Sequence, residues 1–291
     1  VPIVALGLIG AKLYLRETAE AKADSPLDLL GVLMGSGSVF LVVLGTLQGR
    51  SWGWLSPYTL ACFFGTALLV PLFLLRSSRH PEPLFDPGLF RIRSFTISNI
   101  AVTFAMVGAF TSWFLWPLFL TEVWEYSKAK VGLAFTPSPV LSAVVAVLGG
   151  RWADRRGFRG IMALAALIAT VGFLWLYFFL NEEVQFWFAF FPSSVMFGLG
   201  MGVLASQLNS AALRDIPVDS TATANGIHQS LRYAVGGMGA ATAITVLNGT
   251  HEVQRYSLMW LLLGLLMFLV APLMWFLYPK ESNAGQNQRR A

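Results

Sequence analysis

Charge is scarce in this sequence, and thiols and imidazoles are scarcer still. Of 291 residues only 12% are charged and 56% are hydrophobic, with a mean hydropathy of +0.64. That balance excludes an ordinary soluble domain and fits an integral membrane protein. The one cysteine, Cys62, lies inside an apolar run, which excludes a disulfide framework or a thiolate metal site and leaves a small buried or lipid-facing side chain. His80, His228 and His251 are dispersed, and no carboxylate lies clearly within an apolar run. The clustered acids, bases or metal ligands that a membrane enzyme needs near one interface are therefore missing. No catalytic residue, metal or cofactor is expected. A net charge of +5 and an isoelectric point near 9.6 would suit nucleic acid, but the basic residues fall in separate short segments rather than one patch. No nucleic-acid partner is expected, and a role in setting membrane topology accounts for these charges better.

What the chain has in quantity is long apolar runs. A helix needs about 20 apolar residues to cross a bilayer, and eight stretches approach that: 29–47, 57–75, 94–120, 131–150, 161–180, 186–206, 222–248 and 258–278. Segment 1–14 is apolar but short, and reads as the end of a truncated transmembrane helix, followed by a cytoplasmic linker at 15–28. The expected fold is all-α, a polytopic transmembrane helical bundle of about eight full spans plus a truncated one. A two-helix unit at 29–76 leads through a cytoplasmic loop at 77–93 into a six-helix bundle at 94–278, with a cytoplasmic tail at 279–291. Lys and Arg in short loops mark the cytoplasmic side because they resist translocation. Alternating sides along these spans gathers fifteen of the 20 Lys and Arg on one face, among them Arg76, Arg93, Arg155 and Arg159. Only Arg50, Lys128, Lys130 and Arg255 fall on the other, and Arg232 alone lies within a span. The asymmetry supports both the number of spans and a cytoplasmic C-terminus, with lipid as the surrounding partner.

Between the runs 131–148 and 161–180 sit four arginines within nine residues, Arg151, Arg155, Arg156 and Arg159. Glycines at 149, 150, 157 and 160 let the backbone turn, and Asp154 precedes the next helix, whose N-terminal dipole favours a carboxylate. One reading is a solvated positive-inside anchor with no further role. The other comes from a resemblance: the stretch from Gly150 to Arg159, Gly-Arg-Trp-Ala-Asp-Arg-Arg-Gly-Phe-Arg, is similar to the Gly-x-x-x-Asp-Arg-x-Gly-Arg-Arg loop of major facilitator transporters, with Phe158 inserted before Arg159. The resemblance implies that this loop joins the second and third helices of a six-helix half and helps lock the cytoplasmic gate. Gly150, Asp154, Arg155, Gly157 and Arg159 are the gating candidates.

Polar and small residues inside the spans carry the remaining signal, because lipid cannot satisfy a polar group. Gly198, Gly202 and Ser206 recur every fourth residue, a face that lets helices pack closely. Gln207 and Asn209 follow near the cytoplasmic end and could line a water-filled opening. Pro137 and Pro139 can kink an earlier span. Asn225, His228, Gln229 and Arg232 share one helical face, continued by Gly236, Gly239, Ala240 and Ala243, and Gly236, Gly237 and Gly239 are helix-packing candidates. This stretch, 224–241, resembles the penultimate helix of the fourteen-span drug:proton antiporters, in which an arginine precedes a glycine-rich run. In that group an extra helix pair separates two six-helix halves, so the pair at 29–75 corresponds to it, and the loop at 82–91 resembles the entry to the second half. Asn99, Thr103, Met106, Phe110, Trp113, Phe114 and Trp116 lie along 94–120, where an aromatic cavity would suit bulky lipophilic compounds. Lipid contact or helix packing is the competing reading for each. For Arg232, roughly 15 Å into the membrane, the competing readings are a cavity role and snorkelling to the interface. For His228 they are titration and hydrogen bonding.

The function these features favour is a secondary active transporter exporting hydrophobic, drug-like compounds in exchange for protons across a bacterial cytoplasmic membrane. The resemblance implies that this chain is the second-half fragment of such a protein, with the N-terminal half of the same transporter as its partner. A major facilitator carrier of a metabolite or siderophore is the alternative within the class, and a multispan membrane enzyme or sensor lies outside it.

Overall fold

The computed structural model describes residues 28–80, 85–247 and 252–280. The expected helix end at 1–14, the linker up to residue 27, residues 81–84 of the loop at 77–93 and the tail from 281 lie outside them. Every long element among the described residues is a helix. Asp28 accepts from the Gly31 N–H at 2.9 Å and so starts α1 (Leu29–Trp52). Ser56, followed by proline in the first turn, caps α2 (Pro57–Ser77) in the same way, and Gly53 with φ +92 makes the turn between them. After a short 3-10 turn at Pro87–Arg91 comes α3 (Arg93–Glu122), the longest helix described and buried through most of its length. Then follow α4 (Lys128–Phe135), α5 (Pro137–Arg156), α6 (Phe158–Phe179), α7 (Phe191–Leu213), α8 (Thr221–Leu247) and α9 (Val253–Pro272). Among the described residues seven spans are long and apolar enough to cross a membrane, counting α4 and α5 together. The eighth expected crossing is α8, whose 27 residues are long enough while its polar first half keeps it less apolar. The protein is an integral membrane protein.

Prolines account for the irregularities. A proline donates no backbone hydrogen bond, and the expected kink at Pro137 and Pro139 is a break at Thr136 that divides α4 from α5. Five-residue π segments precede α7 at Phe186–Phe190 and follow Pro272 at Leu273–Leu277. The connection expected over 149–160 shrinks to one residue. Helix α5 runs on through Arg156, Gly157 turns the chain at φ +82, and α6 begins at Phe158. Charge marks where the membrane ends, not where the helix does, so Arg151, Arg155 and Arg156 stand on a helix that protrudes beyond it. Asp154, expected just before a helix N-terminus, instead occupies the exposed last turn of α5.

Helix α3 is the axis of the bundle and touches α7, α8 and α9, while α7 is also packed between α5 and α6. Trp116 is fully buried on α3 and meets Phe135, Phe190, Phe197 and Trp260 at ring-centre distances of 5.6, 5.3, 4.9 and 6.3 Å. Aromatic rings in edge-on contact add to the burial itself. This hub ties α3, α4, α7 and α9 together on the side away from the arginines. The pair α1–α2 stands apart, leaning on the bundle through α1 against α8. Its own interface is made of small residues: Gly45 abuts Cys62 and Phe63, and Gly65 abuts Leu41. Cys62 is buried there.

Candidate functional site

A cavity of about 530 Å³ lies between α3, α5, α7 and α8. Met106, Ala109 and Trp113 come from α3, Ser138, Ser142 and Ala146 from α5, and Met201, Gly202 and Ser206 from α7. Phe135 and Phe197, which also touch Trp116, close part of the wall, and among the described residues Arg232 of α8 is the one charged residue lining it. The size falls within the roughly 300–1,000 Å³ typical of small-molecule sites. Arg232 is eleven residues into α8, about 16 Å along a helix, so the cavity sits at mid-depth.

The wall between α5 and α7 exists because both helices are stripped to small residues where they cross. A methyl on Gly198 would fall 2.7 Å from the Ser138 carbonyl oxygen, and one on Gly202 would fall 2.6 Å from that of Ser142. The Ser142 hydroxyl donates to the Gly198 carbonyl at 2.9 Å across the same contact. Gly236 and Gly239 do likewise on α8, where added methyls would strike Phe110 and Thr111 of α3 at 2.6 Å. Gly237 does not share this role, since a methyl there meets nothing within 4 Å. One step of 100° along the helix turns it away from α3.

Of the residues expected to line a cavity, the structure brings Met106, Trp113 and Arg232 to its surface. Asn99 and His228 are both buried and face each other, with Nδ1 of His228 3.1 Å from Oδ1 of Asn99, joining α3 to α8. Asn99 also donates to the Phe95 carbonyl at 2.8 Å. Gln207 is buried beside Gly150, 3.4 Å from where a methyl on that glycine would lie, and donates to the Ser206 hydroxyl. It braces α7 against α5 and does not line the opening. Asn209, Asn225 and Gln229 lie outside the lining, and the side-chain oxygens of all three find no hydrogen-bond partner among the described residues. Nε2 of His228 and Nε of Arg232 share that condition. Such groups are costly in lipid, so this end of α8 is built to meet water or a further partner. The residues missed from the sequence are Ser138, Ser142 and Ala146. Their four-residue spacing was the available signal, matching that of Gly198, Gly202 and Ser206 opposite.

The arginine-rich end is closed by side chains on distant carbonyls. Arg159, at the start of α6, donates to the Trp275 carbonyl, and Arg93, at the start of α3, donates to that of Leu277 at 2.8 Å. The Tyr278 hydroxyl donates to the Ala211 carbonyl at 2.9 Å, and the Arg214 guanidinium lies 5.0 Å from the Tyr278 ring centre. The last turn of a helix leaves its carbonyls without partners. Two arginines supply them here, and each favours the negative end of the dipole.

Parallel and antiparallel spans around a mid-depth cavity define a polytopic membrane protein of the transporter kind, with no metal-binding cluster among the described residues. The chain belongs to the Major Facilitator Superfamily, whose profile matches residues 29–241 and 100–291. Its relatives include the uncharacterized MFS-type transporter YvkA of Bacillus subtilis, 26% identical over 87% of this chain and 55% of that protein. The tetracenomycin C resistance and export protein of Streptomyces glaucescens is 25% identical over 83% of this chain and 44% of its own length. The multidrug export protein EmrB of Escherichia coli is 24% identical over 84% of this chain and 47% of its own. These are transporters and not enzymes, and the chain spans about half the length of the curated relatives it matches.

Proposed function

We propose that this chain forms one half of a secondary active transporter that exports hydrophobic, drug-like compounds across the bacterial cytoplasmic membrane in exchange for protons. The observation that carries the reading is the cavity: apolar and aromatic walls with one arginine at mid-depth, where transporters of this build hold their substrates between two halves. The names of the export proteins among the relatives point the same way. The other half of the transporter completes the cavity and supplies the proton-carrying carboxylate, and Arg232 meets a carboxylate or a substrate group across that interface. The arginine-rich end and the C-terminus face the cytoplasm. There Gly150, Asp154, Arg155, Gly157 and Arg159 form the gate. A metabolite or siderophore carrier is the second reading, favoured by Asn225 and Gln229, whose unpartnered oxygens suit a substrate bearing N–H or O–H groups.

The test is Arg232→Lys in the full-length protein, with efflux of a lipophilic dye and proton movement measured in the same vesicles. Lysine keeps the charge and can snorkel, but loses the planar fork. Transport should drop at least tenfold at unchanged abundance. Parental transport across several substrates and pH values would remove Arg232 from the site.

A further inference from the structure

A second cavity, of about 440 Å³, opens at the arginine-rich end of the α1–α2 pair, well apart from the first. Its walls change character along the membrane normal. Leu30 and Met34 of the first turns of α1 and Leu72 and Leu75 of the last turns of α2 form an apolar slot. Arg76, Arg79 and His80 form its rim, where α2 leaves the membrane. Among the described residues Asp28 lies beside this rim, and Arg76 engages it through Nε at 2.9 Å and Nη at 2.7 Å. Asp28 pairs with Arg76, and Arg79, which is exposed, adds a further positive charge to the rim. Leu30, Leu72 and Leu75 are 46, 41 and 54% exposed, so the slot is open from the side, toward lipid.

We propose that this cleft binds an anionic phospholipid, with the phosphate on Arg79 and one acyl chain along Leu30, Met34, Leu72 and Leu75. An apolar slot capped by cations at the water boundary repeats the polarity of such a lipid in the same order. A guanidinium offers paired donors that match a phosphate, and basic groups at this depth attract anionic leaflets. The occupant is a lipid and not a free phosphate, because four of the seven lining residues are apolar and would gain nothing from the smaller ligand. The inference rests on the membrane topology and is independent of what the first cavity carries.

The experiment places the full-length transporter in nanodiscs of phosphatidylcholine containing a minor share of phosphatidylglycerol and counts retained lipids by native mass spectrometry. The parent should keep phosphatidylglycerol in preference to phosphatidylcholine. Arg79→Gln should reduce retention about fivefold, the factor expected for one interfacial cation. Lys128→Gln, an exposed cation at the opposite end of the bundle, should change nothing, and soluble glycerol phosphate should not displace the lipid. Equal retention of both lipids by the parent, or parental retention by Arg79→Gln, would overturn the proposal. Displacement by glycerol phosphate would overturn the lipid as occupant in favour of phosphate alone.

Discussion

Gly202→Ala adds a single methyl where α7 crosses α5, and the structure says what it would strike. The new Cβ would lie 2.5 Å from Cγ2 of Val145, 2.6 Å from the Ser142 carbonyl oxygen and 2.7 Å from the Ser142 Cα. A valine methyl can rotate away; a backbone inside a helix cannot. The helices must therefore part, which also lengthens the 2.9 Å hydrogen bond from Ser142 to the Gly198 carbonyl. Overpacking of this kind costs about 1–3 kcal/mol. Gly237→Ala is the matched control, a glycine of the same appearance in sequence with nothing within 4 Å of its added methyl. It should be neutral or gain up to about 1 kcal/mol of helix propensity. At roughly 2–4 °C per kcal/mol for a chain of this size, Gly202→Ala should melt several degrees below the parent in detergent and Gly237→Ala at or above it. Thermal unfolding followed by fluorescence reads both. If the two variants melt together, or Gly237→Ala is the less stable, the assignment of α5–α7 as the close-packed wall is wrong.

Two further outcomes follow from named contacts. Trp116→Ala empties the centre of the aromatic hub and should destabilise the bundle by about 3–5 kcal/mol, with Trp116→Phe falling between it and the parent in the same melting assay. Asp28 gives the α1–α2 pair an acid-sensitive clasp: hydrogen bonds from Arg76 and from the Gly31 N–H hold its carboxyl below the usual 3.8. Because the folded value is depressed, the stabilisation is complete above about pH 4 and is lost as pH falls through that lowered value. The distance between spin labels on the ends of α1 and α2 should report the clasp opening in acid, and Asp28→Asn should show no such pH dependence.

The spans were legible because apolar length is a local property of the chain. The ends of the helices were not. Arg151, Arg155 and Arg156 resemble loop residues in a sequence, since charge reports the membrane boundary while α5 continues past it to Gly157. Gly236, Gly237 and Gly239 also look alike until the rotation of α8 against α3 is known, and that rotation is a tertiary quantity. The polar residues Gln207 and Asn99 read as cavity lining because a membrane leaves them few other uses. In fact Gln207 braces Gly150 and Asn99 meets His228, partners 57 and 129 residues away. The α5 side of the cavity went unnoticed for the opposite reason, as serine and alanine draw no attention in an apolar run. Arg93 was read for its charge alone, and its use as a cap on Leu277 spans 184 residues.

The arginines on the last helix turn also constrain how such a domain can move. Through Arg93, Arg159 and Tyr278, the starts of α3 and α6 and the end of α7 are all fastened to one short segment, Trp275 to Tyr278. Helices α3, α6, α7 and α9 thus share a single buckle at one rim. At that rim the helices cannot fan apart without breaking the hydrogen bonds to the Trp275, Leu277 and Ala211 carbonyls.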